Sequence, residues 1–287
     1  MENAKTKPVA LVVTDLDGTL LTDEKKVSEA NREAILNLKN HGILFGVISG
    51  RPVESSNVLN DKTWKLGNSL SILGGMNGGA ILDRRTGEKD RYGQLDGYKI
   101  WEVMEHYRDF SNLHFEVMIG NTQYVEFVTP ETLAVAELFG EKEVVVDMED
   151  FLKNNRVDKL IIRSTPEDQP ALIERSKTFT PDGLVCFPTS NILFEYCHPD
   201  INKGFGLQKI CEHYGIPLEN VVAFGDESND IEMLTLAGTG VAMKNATAPV
   251  KAIADVICDY TNNEDALAHY INEVIIPAAE GKLDSHE

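Results

Sequence analysis

Apolar residues fall in short, evenly spaced runs near both ends of the chain. Residues 8–14 (PVALVVT) are apolar and rich in β-branched side chains, which predicts a strand buried on both faces. Residues 28–40 then place Ala30, Ala34, Ile35 and Leu38 at helical spacing, and His41-Gly42 closes that helix. Residues 42–48 (GILFGVI) form a second buried strand, Pro52 marks the first turn of another helix, and residues 70–73 form a third strand. Strand, helix, strand and helix in alternation predict an α/β fold built on a doubly wound parallel sheet.

The rhythm changes near Asp83. Residues 84–93 (RRTGEKDRYG) are polar and linker-like. Residues 113–119 and 123–128 read as two strands around a Gly120-Asn121 turn, and residues 184–187 and 191–196 as a second hairpin. Between them lie a strand at 159–163 and a helix at 170–177. This mixture predicts a separate α+β domain, residues 84–195, inserted into a core made of residues 1–83 and 196–287. The core rhythm then returns: helix 204–214, strand 220–224, helix 231–236, strand 240–243 and a short strand at 256–258.

A length of 287 residues suits two domains, and 42% apolar with 25% charged residues suits a globular chain. The formal net charge is −19. Residues 195–287 hold 5 basic and 16 acidic side chains, so −11 of that charge lies in the last third. Such a surface repels nucleic acid and anionic membranes, and neither is expected as a partner. The acidic excess is either a solvated face or a cation site. Cys186, Cys197, Cys211 and Cys258 are 11, 14 and 47 residues apart, which fits neither a zinc spacing nor a C-x-x-C pair. They read as reduced thiols of a cytoplasmic protein. The apolar run at 9–13 is too short for a signal peptide or a membrane span. Oligomeric state leaves no mark in the sequence.

Three polar clusters each follow a core strand: Asp15 to Thr19 (DLDGT), Ser49-Gly50-Arg51, and Gly225-Asp226. Ligands of open parallel sheets bind beyond the carboxyl ends of the strands, so these distant clusters should converge on one crevice. Asp15 and Asp17, two apart with Gly18 permitting a tight turn, offer a nucleophile, a general acid/base or a hard-metal ligand. Ser49 and the N–H groups beside it suit a phosphate, or the hydroxyl caps a helix. Arg51 faces substrate or solvent. Lys203, one of few cations in the last third, could balance the carboxylates and grip an anion. Asp226 and Asp230, four apart on a helical start, suit either helix capping or Mg2+, which takes a few carboxylate oxygens and keeps water for phosphate. Glu227 and Ser228 read as capping only.

At these residues the sequence resembles the haloacid dehalogenase superfamily of aspartate-nucleophile phosphohydrolases. The motifs DLDGTL, ISGR, the Lys of NKG and GDESNDIEML occur in the expected order. Residues 77–81 (NGGAI) and 240–246 (GVAMKNA) resemble the Cof-type branch, and the insert resembles its type IIB cap. Lys244, Asn202 and Ala266 depart from common choices of that branch without touching a catalytic position. The resemblance implies a Rossmann-like core and a phosphoric monoester hydrolase. Asp15 would be the nucleophile that becomes an aspartyl-phosphate, and Asp17 the acid and base. Mg2+ would be held by the Asp15 side chain, the Asp17 carbonyl and Asp226. Phosphate would meet the Leu16 and Gly50 N–H groups, Ser49, Lys203 and Asn229. Asp230 would orient Lys203, and Arg51 and Asn77 would be available to substrate. Small phosphorylated metabolites, sugar phosphates foremost, are the expected substrates. A phosphomutase shares the intermediate. A receiver-like signalling domain lacks the second Asp, and a non-catalytic binding protein has no need of the full acidic set.

Overall fold

A computed structural model describes residues 8–54 and 64–281 of the chain. The helix expected after Pro52 falls largely on residues 55–63, which lie outside those described. Sixteen strands are described in chain order: β1 (Leu11–Thr14), β2 (Leu44–Ile48), β3 (Leu70–Gly75), β4 (Ala80–Asp83), β5 (Lys89–Arg91), β6 (Leu95–Asp96), β7 (His114–Ile119), β8 (Thr122–Val125), β9 (Lys142–Val145), β10 (Arg156–Val157), β11 (Lys159–Arg163), β12 (Val185–Pro188), β13 (Leu193–Cys197), β14 (Val221–Gly225), β15 (Thr239–Ala242) and β16 (Val256–Ile257).

The main sheet has the order β16-β15-β14-β1-β2-β3-β4-β5. From β16 to β3 every neighbouring pair is parallel. β1 is buried throughout, as its apolar run on both faces requires. The chain leaves β1 in one direction for β2 and β3, and later fills the other side with β14 and β15. The order therefore switches at β1, and in sheets of this kind ligands bind beyond the carboxyl ends of the strands at such a point. The linker expected at residues 84–93 is partly strand. β4 returns antiparallel to β3, and β5 extends the sheet as a polar edge strand. Backbone pairing forms this edge, and the side-chain pattern of Lys89-Asp90-Arg91 carries no trace of it.

The chain folds into two compact units. One comprises the described residues 8–51, 64–90 and 202–281, and the other residues 52–54 and Arg91–Ile201. In the second unit β12-β13-β11-β7-β8-β9 form a six-stranded sheet, with both expected hairpins antiparallel. Helices Gly97–His106, Met148–Asn154 and Gln169–Ser176 belong to this unit. Ile100, Val103, Met104, Leu152 and Leu172 from them pack with Phe115, Val117, Leu160 and Phe194 in a core of its own. The buried Tyr107 and Tyr196 hydroxyls pair at 2.9 Å inside it. Arg91 binds Glu54 and Asp158, which ties residues 52–54 to this unit.

Candidate active site

Asp15 is the first residue past β1, and its N–H donates to the Phe224 carbonyl of β14. The chain then turns sharply: the Leu20 and Leu21 N–H groups donate to the Asp15 and Leu16 carbonyls. Gly18 sits at φ +79°, where a Cβ would lie 2.2 Å from Asp226 Oδ2, so glycine is needed for conformation and for space. Thr19 Oγ1 donates to Asp226 Oδ1 at 2.8 Å, which joins the ends of β1 and β14.

Lys203 opens the helix Lys203–Tyr214 and is 1% exposed. Its Nζ lies 2.7 Å from Asp15 Oδ1 and 2.6 Å from Asp230 Oδ1. Burial alone would drive the ammonium to lose its proton, but the two carboxylates outweigh it and raise the Lys203 pKa. The other oxygen of Asp230 accepts the Asp226 and Glu227 N–H groups at 2.9 and 3.0 Å. Asp230 is thus fully engaged in holding Lys203 and the turn after β14. Burial raises the Asp15 carboxyl to about 6, with Lys203 pulling the other way. Burial, aided by the charges of Asp15 and Asp230, raises Asp226 to about 7 against the Thr19 hydrogen bond.

Oxygens of Asp15, Asp226 and Asp230 lie within 4.8 Å of one another, and all three residues are buried. This crowd of hard, anionic oxygen donors fits a divalent cation. Asp230 holds both Lys203 and the turn after β14, so Asp15 and Asp226 are the carboxylates that could take a cation from their side chains. The Asp17 side chain is turned elsewhere. Arg51 donates from Nε and Nη2 to its two oxygens at 3.0 and 2.7 Å, and Lys25 Nζ lies 2.7 Å from Oδ1. Burial would raise its pKa, but these two cations prevail and lower it.

Ser49 is buried at the end of β2, and its Oγ accepts the Arg51 N–H at 3.3 Å. Asn229 is exposed, and its amide donates to Asn77 Oδ1 at 3.3 Å. The first unit thus brings Asp15, Asp17, Ser49, Gly50, Arg51, Asn77, Lys203, Asp226, Asn229 and Asp230 to the carboxyl ends of its strands. Lys25, Asn245 and Asn262 escape the sequence reading. Asn245 donates to the Gly18 carbonyl at 2.8 Å, and Asn262 to the Leu21 carbonyl at 3.0 Å, so both brace the loop that carries Asp17. No local pattern marks the two asparagines, since each acts across more than 200 residues. A cavity of about 440 Å³ bordered by Ile43, Leu44, Ser69 and Leu70 lies at the opposite, amino ends of β2 and β3. Its Arg84 is spent on the Gly67 and Leu70 carbonyls.

Residues 12–271 match the haloacid dehalogenase-like hydrolases. The chain belongs to this family. As a haloacid dehalogenase-like hydrolase of the Cof-type branch it is an enzyme of the phosphatase kind. It is 31% identical over 284 residues to the 5-amino-6-(5-phospho-D-ribitylamino)uracil phosphatase YitU of Bacillus subtilis, covering 94% of this chain and 98% of that one. A second B. subtilis protein of the same activity name, YcsE, is 32% identical over 271 residues, covering 93% and 96%. The crystal structure of a haloacid dehalogenase-like hydrolase from Bacteroides thetaiotaomicron superposes with a TM-score of 0.81 at 27% identity, covering 93% of this chain and 99% of the other. Haloacid dehalogenase-like hydrolases generally use a divalent metal, and the buried Asp15, Asp226 and Asp230 form an acidic cluster in this chain. No described helix is long and apolar enough to cross a membrane.

Proposed function

We propose that the protein is a Mg2+-dependent phosphatase of small phosphorylated metabolites, sugar phosphates foremost, that works through an aspartyl-phosphate on Asp15. The observation that carries this reading is the buried Lys203 locked between Asp15 and Asp230, with Asp226 beside them. It supports Asp15, at the switch point of the sheet, as the nucleophile, with a buried cation beside it to offset the charge of an approaching phosphate.

In this reading the Asp15 carboxylate attacks phosphorus, the bond to the ester oxygen breaks, and Asp17 delivers a proton to the departing alkoxide. Asp17 then takes a proton from water, which attacks the aspartyl-phosphate and releases inorganic phosphate and the free Asp15 carboxylate. Asp17 begins as an ion held by Arg51 and Lys25. A dianionic phosphate competes for both cations, their departure raises the proton affinity of Asp17, and the carboxylate takes up a proton from solvent before it acts as the acid. Asp15, the Asp17 carbonyl and Asp226 would hold Mg2+, which supplies charge neutralisation between nucleophile and phosphate. Lys203, the Leu16 and Gly50 N–H groups, Ser49 and Asn229 bind the phosphate oxygens, and Arg51 reaches the substrate. Asp230 orients Lys203. The inserted unit chooses the ester. Four free cysteines accord with a reducing, cytoplasmic setting.

Sugar phosphates come first because two relatives above 30% identity are named for a ribityl phosphate ester. The test is a panel of phosphorylated sugars, sugar alcohols and nucleotides incubated with Mg2+, with free phosphate and isomeric products both measured. The expected result is phosphate release from sugar or ribityl phosphates, abolished by EDTA and restored by Mg2+. Conversion of one sugar phosphate into its isomer without phosphate release would make the enzyme a phosphomutase. Undiminished turnover after chelation would remove the metal from the mechanism.

A further inference from the structure

The turn that joins β3 to β4 departs from ordinary backbone at three successive residues. Met76, Asn77 and Gly78 have φ of 52°, 53° and 95°. Glycine visits this region freely, whereas a methionine and an asparagine in sequence are held there at a cost. Such a conformation persists only where the surroundings over-determine it, and it is a pointer to function. The Met76 N–H donates to the Arg51 carbonyl at 3.0 Å and the Asn77 N–H to the Ser49 carbonyl at 2.9 Å, so the turn is stitched to both sides of Gly50. Asn77 Oδ1 receives the Asn229 amide, and a Cβ on Gly50 would lie 3.4 Å from the same oxygen. On its other side, a Cβ on Gly78 would come within 2.6 Å of the Asn202 carbonyl and 2.7 Å of the Gly206 nitrogen. The turn therefore touches the Ser49 loop, the Asn229 turn and the first turn of the Lys203 helix, three segments from distant parts of the chain.

We propose that Asn77 is a positioning residue of the phosphate site. Its main chain fixes the Ser49–Gly50 loop and its side-chain oxygen fixes the Asn229 amide, so that donors from separate segments share one geometry before substrate arrives. This rests on the phosphatase reading above. It gives Asn77 an indirect part in place of a substrate contact. Donors fixed in advance need no reorganisation when charge develops on phosphate, and for that an otherwise unfavourable backbone is retained.

The test is Asn77→Gly, which keeps the backbone free to adopt φ near 53° and removes only the side chain. The melting temperature should be no lower than that of the wild type. The dissociation constant of inorganic phosphate, measured by calorimetry on the Mg2+-loaded protein, should weaken about tenfold, the loss expected of one aligned hydrogen bond. kcat/KM for a phosphate monoester should fall by the same factor. Because the side chain acts through Asn229, the double variant Asn77→Gly/Asn229→Ala should be no worse than Asn229→Ala alone. Wild-type phosphate affinity and kcat/KM in Asn77→Gly overturn the proposal. Losses that add in the double variant also overturn it, since they mark an independent substrate contact or ordinary packing. A wild-type protein that neither binds phosphate nor releases it from any ester overturns the phosphatase reading, and the wild-type control alone tells that outcome from the others.

Discussion

An ammonium group buried as deeply as Lys203 is tolerated because Asp15 and Asp230 both lie within 2.7 Å of it. The balance is still one-sided, since Asp226 adds a third buried carboxylate to one cation. Two predictions follow the charges. Asp15→Asn preserves shape and removes the attacking charge, so phosphate release should fall by several orders of magnitude. Asp17→Asn should cost about 10²–10⁴-fold in turnover, the usual contribution of a placed acid/base. Near-normal turnover by Asp15→Asn protein, checked by mass spectrometry for deamidation, would sink the mechanism. The second concerns pH. Asp226 binds its proton more tightly folded, at about 7, than unfolded, near 4, and Asp15 behaves alike at about 6. A raised carboxyl pKa contributes stability below the unfolded value that is lost as pH rises through the folded one. The metal-free protein should therefore lose this contribution between about pH 4 and 7. Asp226→Asn should stabilise the metal-free protein by an amount that grows over that window and levels off above it. Mg2+ should stabilise the wild type and have little effect on this variant. Thermal melts from pH 5 to 8, with and without Mg2+, measure both; a gain that shrinks with rising pH contradicts the assignment.

The strands and turns place these side chains, and they differ in how plainly the sequence announces them. Buried parallel strands read directly, because an apolar β-branched run such as Leu11–Thr14 has no other stable place. The Gly120-Asn121 hairpin and the helix Ile231–Leu236 also stand where the pattern puts them. The convergence of Asp15, Ser49 and Asp226 was legible for the same reason, since it needs only parallel strands that end together. Helix Gly97–His106 carries an apolar stripe of Ile100, Val103 and Met104, but it directly follows a polar run that masks its start. β5 and the Met76–Asn77 turn are a different matter. Backbone pairing makes the one and leaves no residue-type signature; Asn77-Gly78 marks the other as a turn, but the left-handed backbone at Met76 is imposed by surrounding hydrogen bonds. Lys25, at φ 61°, is in the same position: a left-handed loop residue swings it onto Asp17 from eight positions away. The prediction at this scale is Gly206→Ala. Inside an exposed helix this change would gain about 1 kcal/mol. Here the new Cβ would meet Gly78 Cα at 2.7 Å, and backbone cannot yield as a side chain can. The melting temperature should fall, and phosphate affinity with it, as the β3–β4 turn is pushed off the helix. A stabilised variant with full phosphate affinity would show that the close approach is dispensable.

In the proposed mechanism a site at the open carboxyl end of the sheet leaves the reacting phosphate exposed to water, which must be admitted only after the aspartyl-phosphate has formed. A second compact unit threaded into the first, with its own core around Tyr107 and Tyr196, can vary its loops without disturbing the Asp15 cluster. In the proposed reading, chemistry and choice of ester fall to different parts of one chain. Remote binding energy is used by large substrates and is unavailable to small ones, so the two functions separate kinetically. Alanine substitution of exposed loop residues of the inserted unit, such as Phe127 and Asn191, should cost little stability, because neither is buried. It should lower kcat/KM for a bulky sugar phosphate and leave that for a minimal ester within about twofold, whereas Asp17→Asn should depress both alike. The measurement is steady-state phosphate release on the two esters for each variant. Equal losses on both from the loop variants would mean that the inserted unit acts on the chemistry itself. Unchanged kinetics across a full set of its exposed loops would mean that selection resides in the first unit, where Arg51 and Lys25 are then the side chains to examine.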